Sequence, residues 1–135
     1  MDQEQQRLVR ASFAKVAPIA HTAAAMFYQR LFATDPTVRS LFKGDIMVQG
    51  RLLMTMLATA VENVHQLDQI LPAVRELGRR HAGYGVKAAD YDTVAGALLG
   101  TLEQALGPEF TPAVRDAWVA YYQALAGEMK ATASV

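Results

Sequence analysis

Apolar positions along this chain recur every three to four residues, and strand-like alternation is absent, so the pattern predicts an all-α protein. The first such stretch, about Gln3 to Val16, puts Leu8, Ser12, Phe13 and Val16 on one side before Pro18 interrupts it. A second, about Ile19 to Phe32, carries Ala23, Met26, Phe27, Arg30 and Leu31 at the same spacing. Thr34-Asp35-Pro36 then reads as a capping residue followed by a first-turn proline, opening a short helix that ends near Leu41-Phe42. After the break at Lys43-Gly44-Asp45, a long helix is expected over about Ile46 to Gln66, with Gln49, Leu53, Met56, Leu57 and Ala60 on one face. Asp68 to Pro72 opens the next helix, which ends at His81, and another follows over about Tyr91 to Leu106. Gly107-Pro108 stops that one, and Thr111-Pro112 starts the last, striped by Val114, Trp118, Tyr121, Tyr122, Leu125 and Met129. About seven helices of unequal length do not suit a four-helix bundle. They suit pairwise packing at steep angles around a pocket.

No repeat, low-complexity tract or linker appears, so one domain over 1–135 is expected, with a frayed tail at 131–135. Apolar residues make up 52% of the chain, yet no uninterrupted run approaches the ~20 residues of a membrane span. The opening Met1-Asp2-Gln3-Glu4-Gln5-Gln6 has neither a basic start nor an apolar segment, so no secretory leader is read there. With no cysteine, there is no disulfide and no thiolate metal site, and a cytoplasmic setting is expected. Thirteen basic residues balance thirteen acidic ones, which argues against a nucleic-acid footprint. The local basic cluster Arg79-Arg80 and Lys87 reads as a solvated helix end or as a contact for a small anionic group.

The candidate chemistry centres on His81, at the end of an amphipathic helix and just before Gly83-Tyr84-Gly85. It reads either as a cation at the negative end of the helix dipole or as an axial iron ligand. A ligand must be a neutral imidazole whose second nitrogen is held by a carbonyl or polar side chain, and a helix end offers free carbonyls. Leu77, four residues earlier, shares its face. Tyr28 is either a core aromatic or a hydrogen-bond donor, and Gln49 is either a solvent-facing residue or Tyr28's partner. Together they would donate to a polarised diatomic ligand in a dry pocket walled by Leu53 and Met56, where each bond has more effect than in water. Phe42 is either core or a ring stacked on a flat cofactor. The six methionines read as core fillers, and His21 and His65 as surface residues. No His-Glu-x-x-His spacing, phosphate loop, dinucleotide fingerprint or nucleophile elbow occurs.

As an ordered set these residues resemble bacterial single-domain globins and the haem domain of flavohaemoglobins. The resemblance rests on Phe27-Tyr28-Gln29-Arg30-Leu31-Phe32, Asp35-Pro36 with Phe42, Gln49 with Leu53, and Leu77-Gly78-Arg79-Arg80-His81 with Tyr84-Gly85-Val86. Tyr91 and Phe110-Thr111-Pro112 with Asp116-Ala117-Trp118 complete it, so that it spans about Gln3 to Met129. It implies a globin fold around haem b. His81 would be the proximal iron ligand, Phe42 the ring stacked on the haem, Tyr28 and Gln49 the distal donors, and Leu53 the distal wall. Arg80 would meet a haem propionate, while Leu77, Tyr84 and Val86 would complete the cofactor contacts. Tyr91 resembles the proximal tyrosine that in flavohaemoglobins joins a network with the ligand histidine and a glutamate.

Two departures qualify the match. No flavin and nicotinamide reductase follows Val135, so an external reductase is expected. The matching glutamate position falls near Val135, and Glu128, the nearest acid in the last helix, is out of register. With Gln49 in place of a distal histidine, distal histidine ligation is not expected. The leading expectation is a globin that binds O2, CO and NO reversibly and, given a reductase, oxidises NO to nitrate. The rivals are a gas or redox sensor or interaction module on the same fold, and haem-dependent nitrite reduction.

Overall fold

The computed structural model describes residues 1–133, and among them there are six α-helices and no strand. Helix α1, Gln3–Val16, is started by Asp2, whose carboxylate accepts the Gln5 backbone N–H at 2.8 Å while the Gln5 side chain accepts the Asp2 N–H. This reciprocal capping satisfies two donors that have no partner within the helix. Helix α2, Ala20–Thr34, buries Ala23, Ala24, Phe27, Tyr28 and Leu31 and stops at Asp35, whose extended backbone suits the residue before Pro36. The expected short helix is the 3-10 segment Pro36–Leu41, with the Asp35 carboxylate accepting the Thr37 N–H at 3.1 Å.

Asp45 caps α3, Ile46–Glu62, by accepting the Met47 N–H at 2.8 Å. This helix ends a turn sooner than its apolar period suggests. The Asn63 side chain donates to the Thr59 carbonyl at 2.8 Å and occupies an acceptor of the last turn. The chain then passes into a 3-10 segment, Val64–Gln69, kinked at Gln66. Asp68 therefore lies inside that segment and caps nothing. Helix α4, Leu71–Gly83, starts behind Ile70 with Pro72 in its first turn. Helix α5, Ala88–Leu106, begins three residues before Tyr91, and the Asp90 carboxylate accepts the Lys87 N–H at 2.8 Å. Helix α6 runs Pro112–Ala133, so part of the expected frayed tail is helical, and 134–135 lie outside the described residues.

The main packing pairs are α4 on α6, α2 on α5, α1 on α6 and α2 on α3. The larger core gathers Val9, Leu31, Ala117, Trp118 and Tyr121 among others. Two of its polar side chains satisfy each other: Trp118 Nε1 donates to Ser12 Oγ at 2.8 Å, and that hydroxyl donates to the Leu8 carbonyl at 2.6 Å. The Tyr121 hydroxyl donates to the Ala60 carbonyl and ties α6 to α3. A smaller cluster of Val74, Tyr91, Ala126 and Met129 joins α4, α5 and α6. No helix among the described residues is long and apolar enough to cross a membrane.

Candidate functional site

Helix α3 lies on α2 and α1, α4 lies on α6, and Val64–Gln69 contacts both. His81 stands in the last turn of α4, half-buried. Its Nδ1 is 2.9 Å from the Leu77 carbonyl oxygen. A carbonyl only accepts, so Nδ1 carries the hydrogen and the lone pair of the neutral ring sits on Nε2. Burial pushes the imidazole below its ordinary pKa, against a smaller opposite pull from the Leu77 bond, and so favours this neutral form.

The segment around His81 is positioned from below. At Gly78, one turn earlier, an added Cβ would lie 2.7 Å from the Met129 carbonyl oxygen and 2.8 Å from its Cα. Only glycine lets α4 approach the α6 backbone so closely. After His81 the chain turns at Gly85, where φ is +94°, and the Val86 N–H donates back to the His81 carbonyl at 3.0 Å. Leu77 and Val86 are half-buried in the smaller cluster, while Tyr84 is 62% exposed with its ring 6.4 Å from that of His81.

Tyr91 of α5 stacks on His81 with ring centroids 6.3 Å apart and planes 24° from parallel. Its backbone carbonyl accepts the Tyr122 hydroxyl at 2.7 Å. Its own hydroxyl is sealed from solvent and has no hydrogen-bond partner among the described residues. The carboxylate of Glu128 is 3.3 Å from Arg75 and part of a surface pair, and the Lys130 ammonium lies 5.9 Å from the Tyr91 ring centre. Tyr91 therefore reaches His81 by ring contact, and among the described residues no hydrogen bond links it to a carboxylate.

On the α2–α3 side, Tyr28 is 6% exposed. It stacks on Phe32 at 5.8 Å and meets Phe42 edge-on at 5.3 Å. Burial pushes its hydroxyl pKa up to about 12, so it remains a donor across the physiological range. That hydroxyl has no partner among the described residues, and unlike Tyr91's it is not sealed off. Phe42 follows the 3-10 segment, and its carbonyl accepts from Arg39 at 3.1 Å. Gly50, whose absent Cβ would lie 3.1 Å from Ala24 Cβ and 3.7 Å from Tyr28 Cε2, brings α3 down onto α2 beside Tyr28. This places Gln49 and Leu53, both half-buried, on the neighbouring turns of α3.

Two residues on that face stand out. Leu52 and Met56 are 53% and 42% exposed, and with Gln49 and Leu53 they form an i, i+3, i+4, i+7 set. Exposed side chains of this size on one helical face are what a flat apolar group would cover. The helical period puts Leu52 on this face as well as Met56. Arg80 pairs with Glu76 across one helical turn at 3.7 Å and is largely exposed.

Among the described residues no group of three or more His, Cys, Asp or Glu side chains could hold a bare metal ion. A metal at His81 would have to arrive with most of its own ligands. A neutral imidazole nitrogen, an unpartnered tyrosine hydroxyl and exposed apolar side chains on the opposite helix fit haem in that respect.

Comparison with known proteins agrees with this geometry. The family model described as Globin matches residues 25–129. The flavohemoprotein of Halalkalibacterium halodurans is 27% identical over 129 residues, covering 93% of this chain and 31% of that protein. The flavohemoprotein of Bacillus subtilis is 26% identical over 129 residues, covering 93% and 32%. The chain thus spans about a third of the length of these curated relatives. Among solved structures, an engineered carbene transferase from Rhodothermus marinus, provisionally assigned as a nitric oxide dioxygenase, superposes with a TM-score of 0.90. It is 26% identical, and the match covers 99% of this chain and 94% of that one.

Proposed function

Because this chain belongs to the globin family and has the globin fold, with haem the cofactor that membership implies, we propose that it is a gas-binding haem b protein with His81 as its axial ligand. The observation that carries the reading is the His81 ring with Nδ1 2.9 Å from the Leu77 carbonyl oxygen, which leaves Nε2 to coordinate. When bound, a haem would supply a ferrous iron able to take O2, CO or NO. His81 would present Nε2, with the Leu77 carbonyl orienting the ring. Tyr28 would donate a hydrogen bond toward the ligand, and Gln49, in the first turn of α3, would add a second donor. Leu53 would exclude water beside them, and Phe42, Leu77, Tyr84 and Val86 would flank the flat group. Arg80 is close enough in sequence to offer its guanidinium to a propionate by exchanging its Glu76 partner.

With one electron from a separate reductase, O2 and NO together give nitrate, and this dioxygenation is the activity we assign alongside reversible gas binding. The flavohemoprotein relatives and the dioxygenase assignment of the structural neighbour support it. We place the protein in the cytoplasm as one globin domain. The test is anaerobic addition of NO to the reduced, oxygen-loaded protein. Near-stoichiometric nitrate, with a lower yield in Tyr28→Phe, is expected. Persistence of NO without nitrate would leave gas binding as the function and remove the dioxygenation.

A further inference from the structure

Methionine is the one sulfur-bearing residue type in this chain, which has six of them and no cysteine. Its thioethers are therefore the most readily oxidised side chains it has, and access decides which reacts first. Met129 is 8% exposed, and Met26 and Met54 are half-buried. Apart from Met1, the methionines open to solvent are Met47 and Met56, 57% and 42% exposed, and both belong to α3. They lie on opposite sides of that helix, since nine positions make about two and a half turns. Gln49 and Met56 are seven positions apart, about two whole turns, and so share a face with Leu53 between them. One exposed thioether thus sits on the face of Gln49 and Leu53, and the other sits behind it.

We propose that Met56 is an oxidation site that controls cofactor loading: a peroxide converts it to the sulfoxide while this face is open, and the sulfoxide hinders haem from settling there. The step is a two-electron oxygen transfer. A sulfur lone pair of Met56 attacks one oxygen of hydrogen peroxide, the O–O bond breaks and an S–O bond forms. The departing hydroxide takes the proton from the transferred oxygen and leaves as water, so sulfur is oxidised and peroxide is reduced. The product carries a polar oxygen where the thioether was apolar. Covering that oxygen with a flat apolar group strips its water without replacing the hydrogen bonds, which opposes binding. Haem already in place covers Met56 and protects it, whereas Met47 reacts with haem present or absent. Methionine sulfoxide is reducible by enzymes, so the block is reversible. The exposure and phase of the two residues stand on α3 alone, and the effect on loading rests on the haem site assigned above.

The test uses hydrogen peroxide as the probe. The haem-free chain and the reduced, CO-saturated haem protein are treated with it, and oxygen gain at each methionine is read by peptide mass spectrometry. Haem should slow oxidation of Met56 by roughly tenfold or more and leave Met47 within about twofold. Peroxide treatment of the haem-free chain should slow its haem uptake by a similar factor, and Met56→Leu should abolish that sensitivity. Met129, at 8% exposure, reports whether the haem-free chain is folded. If Met129 reacts as fast as Met47, variants of the haem protein decide instead. Met56→Gln places a polar oxygen on this face without any oxidant and should lose haem to a scavenging apoprotein about tenfold faster than wild type. Met47→Gln, on the opposite side, should stay within about twofold. Oxidation of Met56 that haem does not slow, or unchanged haem loss in Met56→Gln, would overturn the proposal. The Soret band of the untreated wild type reports the haem site separately. A Soret band without these differences removes the oxidation block and leaves the haem, whereas no Soret band removes the haem reading itself.

Discussion

Replacing Gly78 by alanine tests whether the close contact of α4 with α6 holds the His81 segment in place. The new Cβ would stand 2.7 Å from the Met129 carbonyl oxygen, 2.8 Å from its Cα and 3.1 Å from its carbonyl carbon. Favourable contacts between such atoms lie near ~3.5 Å or beyond, so the helices must separate by roughly 0.7 Å. Both partners are backbone, and neither can turn aside. Overpacking of this sort costs about 1–3 kcal/mol, and the rigid contact places it toward the upper end. Alanine also returns up to about 1 kcal/mol over glycine in a helix interior. The net loss is therefore about 1–2 kcal/mol. With an unfolding entropy of about 2.1 cal/mol/K per residue, that lowers Tm by roughly 4–7 °C. Gly127→Ala on α6 is the control. Nothing lies within 4 Å of its added Cβ, so only the helix gain remains and Tm should rise by a few degrees, on the order of 1–3 °C. Differential scanning calorimetry reads both variants. A Gly78→Ala protein as stable as wild type or more so would refute the reasoning. Since His81 is one turn further along α4, the same variant should also lose haem faster to a scavenging apoprotein.

Three other outcomes are expected. Tyr28→Phe removes one hydrogen bond to a polarised ligand, worth about 1.5–3 kcal/mol, and should speed O2 release roughly ten- to hundredfold by stopped flow. An unchanged rate would take Tyr28 out of ligand stabilisation. Ser12→Ala strands the Trp118 indole N–H, in a residue 2% exposed, and should cost about 1–3 kcal/mol in urea unfolding. Burial pushes the Tyr28 and Tyr121 hydroxyls from 10.0 up to about 12. Their neutral forms are favoured in the folded state, so this contribution is whole below pH 10 and is lost as pH climbs toward 12. A urea midpoint constant from pH 9 to 12 would contradict it.

What the sequence could show depended on how local each cause was. The 3.6-residue period located all six α-helices, because each buries one face. The end of α3 was missed because Asn63 stops it with a side-chain bond to Thr59, and an apolar count overlooks this. Asp68, where the next helix was expected to open, belongs instead to the 3-10 segment before Ile70. At the candidate site, the Leu77–His81 bond was legible as a helix-end carbonyl four residues back. The i, i+4 rule would equally have found Glu76 as the partner of Arg80. The aromatic cluster of Tyr28, Phe32 and Phe42 was not legible, because it joins α2 to the residue after the 3-10 segment through tertiary packing. Nor was the stacking of Tyr91 on His81, which depends on how α5 crosses α4. Leu52 passed unnoticed because an isolated leucine on a helix carries no signal until its exposure is seen beside Gln49, Leu53 and Met56.

The central claim is that His81 ligates a gas-binding haem. Absorption spectra of the protein reconstituted with haem test it most directly, recorded ferric, then dithionite-reduced, then under CO, for wild type and His81→Ala. The account predicts a strong Soret band in the wild type that shifts on CO binding and is lost or grossly altered in the variant. No Soret band after reconstitution, or an identical CO-shifted band in His81→Ala, would contradict it.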